Sequence, residues 1–75
     1  MIIKLSQLQP GETATVHSFS NSDIFLKLME MGCIPGEKIR LDLTAPFGDP
    51  ISLQVAGYQL SLRLNEAEHI FVETE

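Results

Sequence analysis

The sequence predicts a mainly β fold, a small five-stranded barrel with one α-helix inserted after the first strand. Three observations lead to this prediction. Turn-forming residues recur at short intervals, most segments between them alternate apolar and polar residues, and one segment changes to helical spacing. Short strands with one apolar face bury that face and shield their edges by closing into a barrel. The 75 residues are room for a single domain, spanning 1–75.

Alternation of apolar and polar residues marks the five strands. They are predicted at about residues 13–19, 38–44, 51–56, 59–64 and 70–72. Turn signals separate the segments at Pro10-Gly11, Gly32, Pro35-Gly36, 46–50 and Ala56-Gly57. The residues expected to face the core by alternation are Ile39, Leu41, Leu43, Leu53, Val55, Leu60 and Leu62.

One helix is predicted from Ser22 to about Met31. Several N-cap candidates stand in the run 20–23, and Gly32 occupies the position where a left-handed residue ends a helix. The residues that suffice to fill the inward face are Phe25, Leu28 and Met31. Leu26 and Met29, together with Ile24, are then left over at the surface, where excess apolar residues hint at an interaction face.

The charge balance disfavours two classes of partner. Ten acidic residues oppose five basic ones, for a net charge of -5. Nucleic acid binding depends on Lys and Arg neutralising phosphates, and docking on an anionic membrane surface depends on the same residues. No apolar run approaches the ~20 residues of a spanning helix, and the first residues resemble no signal peptide. We therefore expect a cytoplasmic protein without membrane insertion.

Metal-ligating residues are few. His17, Cys33 and His69 are the only histidines and the only cysteine, and they lie far apart without ligand spacing. A transition-metal site needs three or four converging ligands, so we expect no metal site and no cofactor, with these three residues as weak candidates. The lone thiol also excludes an intramolecular disulfide.

No catalytic motif is present in the sequence. The carboxylates are scattered singly, and neither a phosphate-binding glycine loop nor a nucleophile motif occurs. The prediction is a protein that is not an enzyme.

Two further residues have two interpretations each. Phe47 stands at a loop tip between Pro46 and Gly48, and it either covers one end of the barrel or anchors a partner. Arg63 is the only arginine in the C-terminal half, and it either forms an ordinary ion pair or contacts a partner.

Four stretches of the chain, in order and nearly from end to end, resemble the FeoA family. They are an opening L-x-x-L-x-P-G at 5–11, a helix end [KR]-L-x-x-[LM]-G-h-x-P-G at 27–36 with Cys33 at the apolar position h, a loop A-P-h-G-D-P-I at 45–51, and L-x-L-R at 60–63 followed by Ala67 and Ile70. One departure concerns the position after the L-x-L-R motif, where the family often has basic residues and this chain has Leu-Asn-Glu at 64–66.

The resemblance implies an SH3-like accessory protein of bacterial ferrous iron uptake. It implies that the chain, as a monomer or weak homo-oligomer, binds the cytoplasmic GTPase portion of the membrane transporter FeoB. The expected partner-binding residues are Phe47, Leu26, Met29, Pro35, Gly36 and Arg63. One alternative is an Fe2+ or Zn2+ sensor or carrier, related to the FeoA-like C-terminal module of metal-dependent repressors. Another is an adaptor for Pro-rich peptides, although the chain has few of the aromatic residues that line such grooves.

Overall fold

A computed structural model of the chain describes residues 1–44 and 48–74. Within this part lie six β-strands, two α-helices and a short 3-10 turn. In chain order they are β1 (Ile2–Lys4), the 3-10 turn (Leu5–Gln7), β2 (Thr13–Phe19), α1 (Ser22–Glu30), β3 (Lys38–Thr44), β4 (Ile51–Val55), β5 (Tyr58–Leu62), α2 (Leu64–Ala67) and β6 (Ile70–Thr74). The predicted mainly β class with one principal helix is confirmed.

The described strands form one antiparallel sheet in the order β1-β6-β2-β3-β4-β5. No strand pairing among the described residues joins β1 to β5, so "barrel" describes the curved sheet only loosely. The predicted strand number was one too low, and α1 follows the second strand rather than the first. The missed strand β1 has only three residues, too few to show alternation. It forms by pairing with β6, with Ile3 opposite Val72.

Alternation predicted the core well. The predicted inward residues Ile39, Leu41, Leu53, Val55, Leu60 and Leu62 are all buried, whereas the side chain of Leu43 lies outside the described part of the structure. The predicted strand at 59–64 ends earlier, because Leu64 begins α2 and is 37% exposed. The Asp49 carboxylate lies between β3 and β4 in the chain. It accepts a hydrogen bond from the Leu64 backbone N–H at 2.9 Å, which holds the start of α2.

Helix α1 is fixed at both ends by hydrogen bonds. The Asn21 side chain accepts from the backbone N–H groups of Asp23 and Ile24 at 2.9 and 3.1 Å, so Asn21 is the N-cap among the predicted candidates. At the other end Gly32 has φ +83°, the left-handed conformation that the sequence predicted. The Cys33 N–H then bonds the Leu28 carbonyl at 2.9 Å, which completes a Schellman motif between two buried residues.

Candidate functional site: an apolar docking surface on α1 and the adjoining groove

The two sides of α1 have opposite environments. Leu28 is fully buried, and Ile24 packs against the same core while half-buried. Leu26 and Met29, three residues apart and therefore neighbours on the helix surface, are 58% and 46% exposed. The sequence left three apolar residues of α1 at the surface, of which Leu26 and Met29 are exposed, whereas the placement of Ile24 was wrong because it packs against the core. We refer to Leu26 and Met29 as the outer row of α1.

A groove of about 400 Å³ opens beside the first turn of α1. Its lining residues are His17, Ser18, Phe19, Ser20, Asn21, Ser22, Phe25 and Pro35. The rings of Phe19 and Phe25 meet edge to face, with centroids 5.3 Å apart. Phe25 and Met29 are one helical turn apart, so the groove is continuous with the outer row of α1. The groove is partly aromatic and has polar groups at its rim, as ligand and peptide sites commonly do.

The Pro35-Gly36 corner lies at the groove and is tied to β2. Pro35 lines the groove, and both residues are exposed. The Gly36 N–H donates to the Val16 carbonyl at 2.9 Å, and the Val16 N–H donates to the Glu37 carbonyl at 2.9 Å. These bonds hold the corner against the sheet. The structure therefore brings the outer row of α1 and the corner next to one groove.

His17 also lines this groove, because a β-bulge turns the strand at that point. The pairing of β2 with β6 shifts between Val16 and Ser18, leaving His17 as the extra residue with an exposed side chain. Its Nδ1 lies 2.9 Å from the Ser18 hydroxyl oxygen. The bulge coincides with a break in the sequence pattern, because Ala14 and Val16 keep a period of two that Phe19 does not continue.

The three candidate metal ligands lie in different surroundings. Cys33 is fully buried in the hydrophobic core, and this burial, followed by the nearby Glu37 carboxylate, raises the pKa of its thiol to about 11. A thiol with that pKa stays protonated at neutral pH, whereas metals bind the thiolate. His69 is exposed, with Nδ1 3.0 Å from the Ser20 hydroxyl oxygen. Among residues 1–44 and 48–74 no group of three or more His, Cys, Asp or Glu side chains is placed to hold a metal ion.

Two residues predicted to contact a partner remain, Arg63 and Phe47. Arg63 is exposed at the N-cap of α2, and its backbone N–H donates to the Glu66 carboxylate at 3.0 Å. Phe47 lies outside the described residues, so both interpretations of it stay predictions.

An ion pair links the two helices. The Lys27 ammonium of α1 donates a hydrogen bond to the Glu66 carboxylate of α2. The pKa of Glu66 is lowered, first by this bond and, further, by its backbone hydrogen bond from Arg63. Lys27 lies outside the outer row, since successive helix residues point about 100° apart and Lys27 is therefore turned away from Leu26.

Tyr58 was not foreseen as part of this surface. It is 40% exposed at the start of β5, and a Cβ added to Gly32 would lie 2.6 Å from its hydroxyl oxygen. The Tyr58 side chain therefore lies against the turn that ends α1. Ile34, beyond that turn, is also exposed at 39%. The signal for both was weak, because an aromatic in a strand and an apolar residue beside a proline are ordinary core residues.

The described residues of this region form a surface suited to binding. The described groove holds aromatic rings, hydroxyls and one imidazole, and the neighbouring surface is apolar. No helix in the described ranges has the length and apolar character needed to cross a membrane.

Comparison with known proteins agrees with this geometry. The model of the FeoA domain family matches residues 3–74. The chain is 33% identical over 72 residues to the Fe(2+) transport protein A/Fe(2+) transporter FeoB fusion protein of Porphyromonas gingivalis, covering 95% of this chain but only 8% of that relative.

Two solved structures extend the match. The FeoA-like protein from Clostridium acetobutylicum is 38% identical with a TM-score of 0.90, covering 97% of this chain and 86% of that one. The FeoA of Stenotrophomonas maltophilia, described as a procaryotic SH3 domain protein and solved with zinc, is 32% identical with a TM-score of 0.80, covering 95% and 89%. Sequence and fold agree over nearly the whole length, and this chain belongs to the FeoA family.

Proposed function

We propose that this chain is an accessory protein of ferrous iron uptake that binds the cytoplasmic portion of an FeoB-type transporter. The docking surface is the outer row of α1 together with the adjoining groove and the Pro35-Gly36 corner. The observation that carries the proposal is the exposure of Leu26 and Met29 on a helix whose other side already fills the core. Such residues lose unfavourable contact with water when a partner covers them.

The fused relative supports the choice of partner. In that protein an FeoA-like segment and an FeoB transporter are parts of one polypeptide. Fusion keeps the two at a high effective concentration, which benefits domains that act on each other. A separate chain reaches the same end by binding, and it needs a surface of its own for that purpose.

The surface has the composition of a small protein interface. Leu26, Met29 and the groove aromatics are apolar anchors, and Ser20, Ser22 and Asn21 form a polar rim. The rigid corner at Pro35 loses little conformational entropy on docking. The chain acts by binding rather than by chemistry, and it alters the transporter only as far as it prefers one of the transporter's conformations.

The test is a binding titration between the purified chain and the cytoplasmic portion of an FeoB-type transporter. We expect the double variant Leu26→Ala/Met29→Ala to bind at least about tenfold more weakly, since interface anchors each contribute about 1 kcal/mol or more. The matched control is Ile2→Ala, which removes another exposed apolar side chain (47% exposed) from β1 rather than from α1. It should bind as the wild type does.

Two results would contradict the proposal. If the wild-type chain does not bind, the proposed partner is wrong. If the wild-type chain and the double variant bind equally, both with unchanged melting temperatures, the partner stands and the proposed docking surface is wrong.

A further inference from the structure

Strand β5 presents an open edge of the sheet. It pairs with β4 on one side, and no described strand pairs with its other side. None of the backbone hydrogen bonds that the described residues make outside the regular strand and helix pairings involves Tyr58–Leu62. An unpaired edge of this kind is a template for an additional strand.

The hairpin geometry shows which backbone groups are open. Strands β4 and β5 are joined by the two-residue turn Ala56-Gly57, where both residues have positive φ, of 50° and 87°. A hydrogen-bonded pair flanks such a turn, so Val55 and Tyr58 exchange hydrogen bonds, and the pattern alternates from there. The N–H and C=O groups of Gln59 and Ser61 therefore point away from β4, towards the open side.

The opposite end of the sheet is protected, whereas β5 is not. Strand β1 has three residues and ends in Lys4, whose ammonium lies 4.0 Å from the Glu68 carboxylate. Short length and a charged residue are two of the devices that discourage strand addition. Strand β5 reads Tyr-Gln-Leu-Ser-Leu, with no charged residue and no proline, and its pairing with β4 runs without a bulge. The contrast between the protected edge at β1 and the unprotected edge at β5 favours strand addition at β5.

The net charge of the chain indicates which kind of segment would add to the β5 edge. The chain has a net charge of -5, so a second copy would bring a second excess of negative charge to the edge. A segment with a net positive charge is instead attracted to the acidic chain as a whole before contacts form. The residues of β5 carry no charge themselves, and the side chain of Gln59 donates a hydrogen bond to the Asp42 carboxylate at 3.2 Å.

The edge adjoins the docking surface on α1. Tyr58, the first residue of β5, has its hydroxyl oxygen against Gly32, which ends α1. A partner that covers the outer row of α1 therefore lies close to the beginning of β5.

The geometry points to β-augmentation at β5: an extended, positively charged segment of the transporter's cytoplasmic portion adds to the sheet as a strand beside Gln59 and Ser61. This inference rests on the proposed function for its partner, and it goes further by assigning the mode of binding and the chemistry of the segment. The main chain supplies the hydrogen bonds, so the segment is selected by its extended form and its charge more than by one side chain.

Amide hydrogen exchange on the wild-type chain tests the inference directly. We expect the Gln59 and Ser61 amides to exchange at least about tenfold more slowly with saturating transporter cytoplasmic portion than without it, because new hydrogen bonds protect them. The Leu60 amide, which already faces β4, is the internal control and should be protected in both samples.

Variants at Ser61 provide the second test. Ser61→Pro removes an N–H that faces away from β4, and proline is tolerated at such edge positions. It should weaken binding at least about tenfold, whereas Ser61→Thr should bind as the wild type does. Should Ser61→Pro fail to fold, the pair Ser61→Lys and Ser61→Glu replaces it: Lys should weaken binding of a basic segment, and Glu should not.

The outcomes separate this inference from the proposed function. No binding by the wild-type chain overturns the proposed function itself. Binding without protection of Gln59 and Ser61, or equal effects of Ser61→Lys and Ser61→Glu, overturns β-augmentation by a basic strand and leaves the proposed function standing. Protection that appears without the transporter and grows with the chain's own concentration assigns the edge to a second copy and overturns the partner named here.

Discussion

The inner and outer sides of α1 contain the same kinds of residue but have different surroundings. On the inner side Leu28 is fully buried against the sheet, and on the outer side Leu26 and Met29 are about half exposed. Composition alone cannot distinguish the two sides, since all three are long aliphatic side chains. The difference teaches that the inner side determines whether the chain folds, and the outer side is available for binding. Variants on the two sides should therefore separate stability from association.

The largest expected effect is on the inner side. Leu28→Ala removes a fully buried side chain and leaves a cavity beneath the helix, so the free energy of unfolding should fall by about 2–5 kcal/mol. Urea denaturation measures this loss. Leu28→Met, which nearly conserves volume, should lose less than about 1.5 kcal/mol. Equal free energies of unfolding for Leu28→Ala and the wild type would mean that packing of the inner side does not stabilise α1.

The next effect concerns the turn where the helix ends. Gly32→Ala places a Cβ in the left-handed region, at φ +83°, and 2.6 Å from the Tyr58 hydroxyl oxygen. The free energy of unfolding should fall by about 1–2 kcal/mol from the backbone alone. Because the clash involves the end of a movable side chain, Tyr58→Phe in the Gly32→Ala background should recover only part of the loss. A Gly32→Ala variant with the wild-type urea midpoint would contradict the left-handed turn.

The ion pair between the helices should contribute less to the free energy of unfolding. Lys27 and Glu66 are partly exposed, so removing the pair with Lys27→Gln should cost at most about 1 kcal/mol at pH 7. The pKa of Glu66 is lowered in the folded protein, so the pair stabilises the fold above the unfolded-state pKa of about 4.3, and that contribution is lost as the pH falls through the folded-state pKa.

A double-mutant cycle with Glu66→Gln isolates this pair from the other contacts of Lys27. The coupling measured by urea denaturation should be present at pH 7 and should shrink towards zero at a pH below the lowered folded-state pKa of Glu66, since the carboxyl is then protonated. A coupling of the same size at both values would show that charge is not its source.

The sequence predicted the parts of the fold that depend on local pattern. Alternation located β2, β3 and β4, and the Gly32 position located the end of α1, because side-chain period and backbone conformation are local properties. Strand β1 was missed because three residues hold no periodic signal, and its pairing with β6 joins opposite ends of the chain. The β5 strand was predicted to end two residues too late, since Leu64 keeps the alternation but belongs to the first turn of α2.

The candidate site was predicted only in part. Leu26 and Met29 were identified by elimination, which works when the helix face and the core volume are both known. The groove could not be predicted, because its lining residues come from β2, α1 and the Pro35-Gly36 corner, and only the folded chain brings them together. The bulge at His17 and the contact of Tyr58 with Gly32 depend on strand register and tertiary packing in the same way.

The smallest expected effect on stability lies on the outer side of α1. Leu26 is 58% exposed, so Leu26→Ala removes side-chain atoms that are already largely in contact with water. Alanine is also at least as favourable as leucine within a helix. The free energy of unfolding should therefore change by less than about 0.5 kcal/mol, as is usual for surface substitutions.

Met29→Ala is the companion variant and should behave alike. Urea denaturation and the transporter titration should be run on the same preparations. A loss of stability above about 1 kcal/mol in either variant, comparable to that of Gly32→Ala, would assign the outer row to the fold and end the distinction between the two sides.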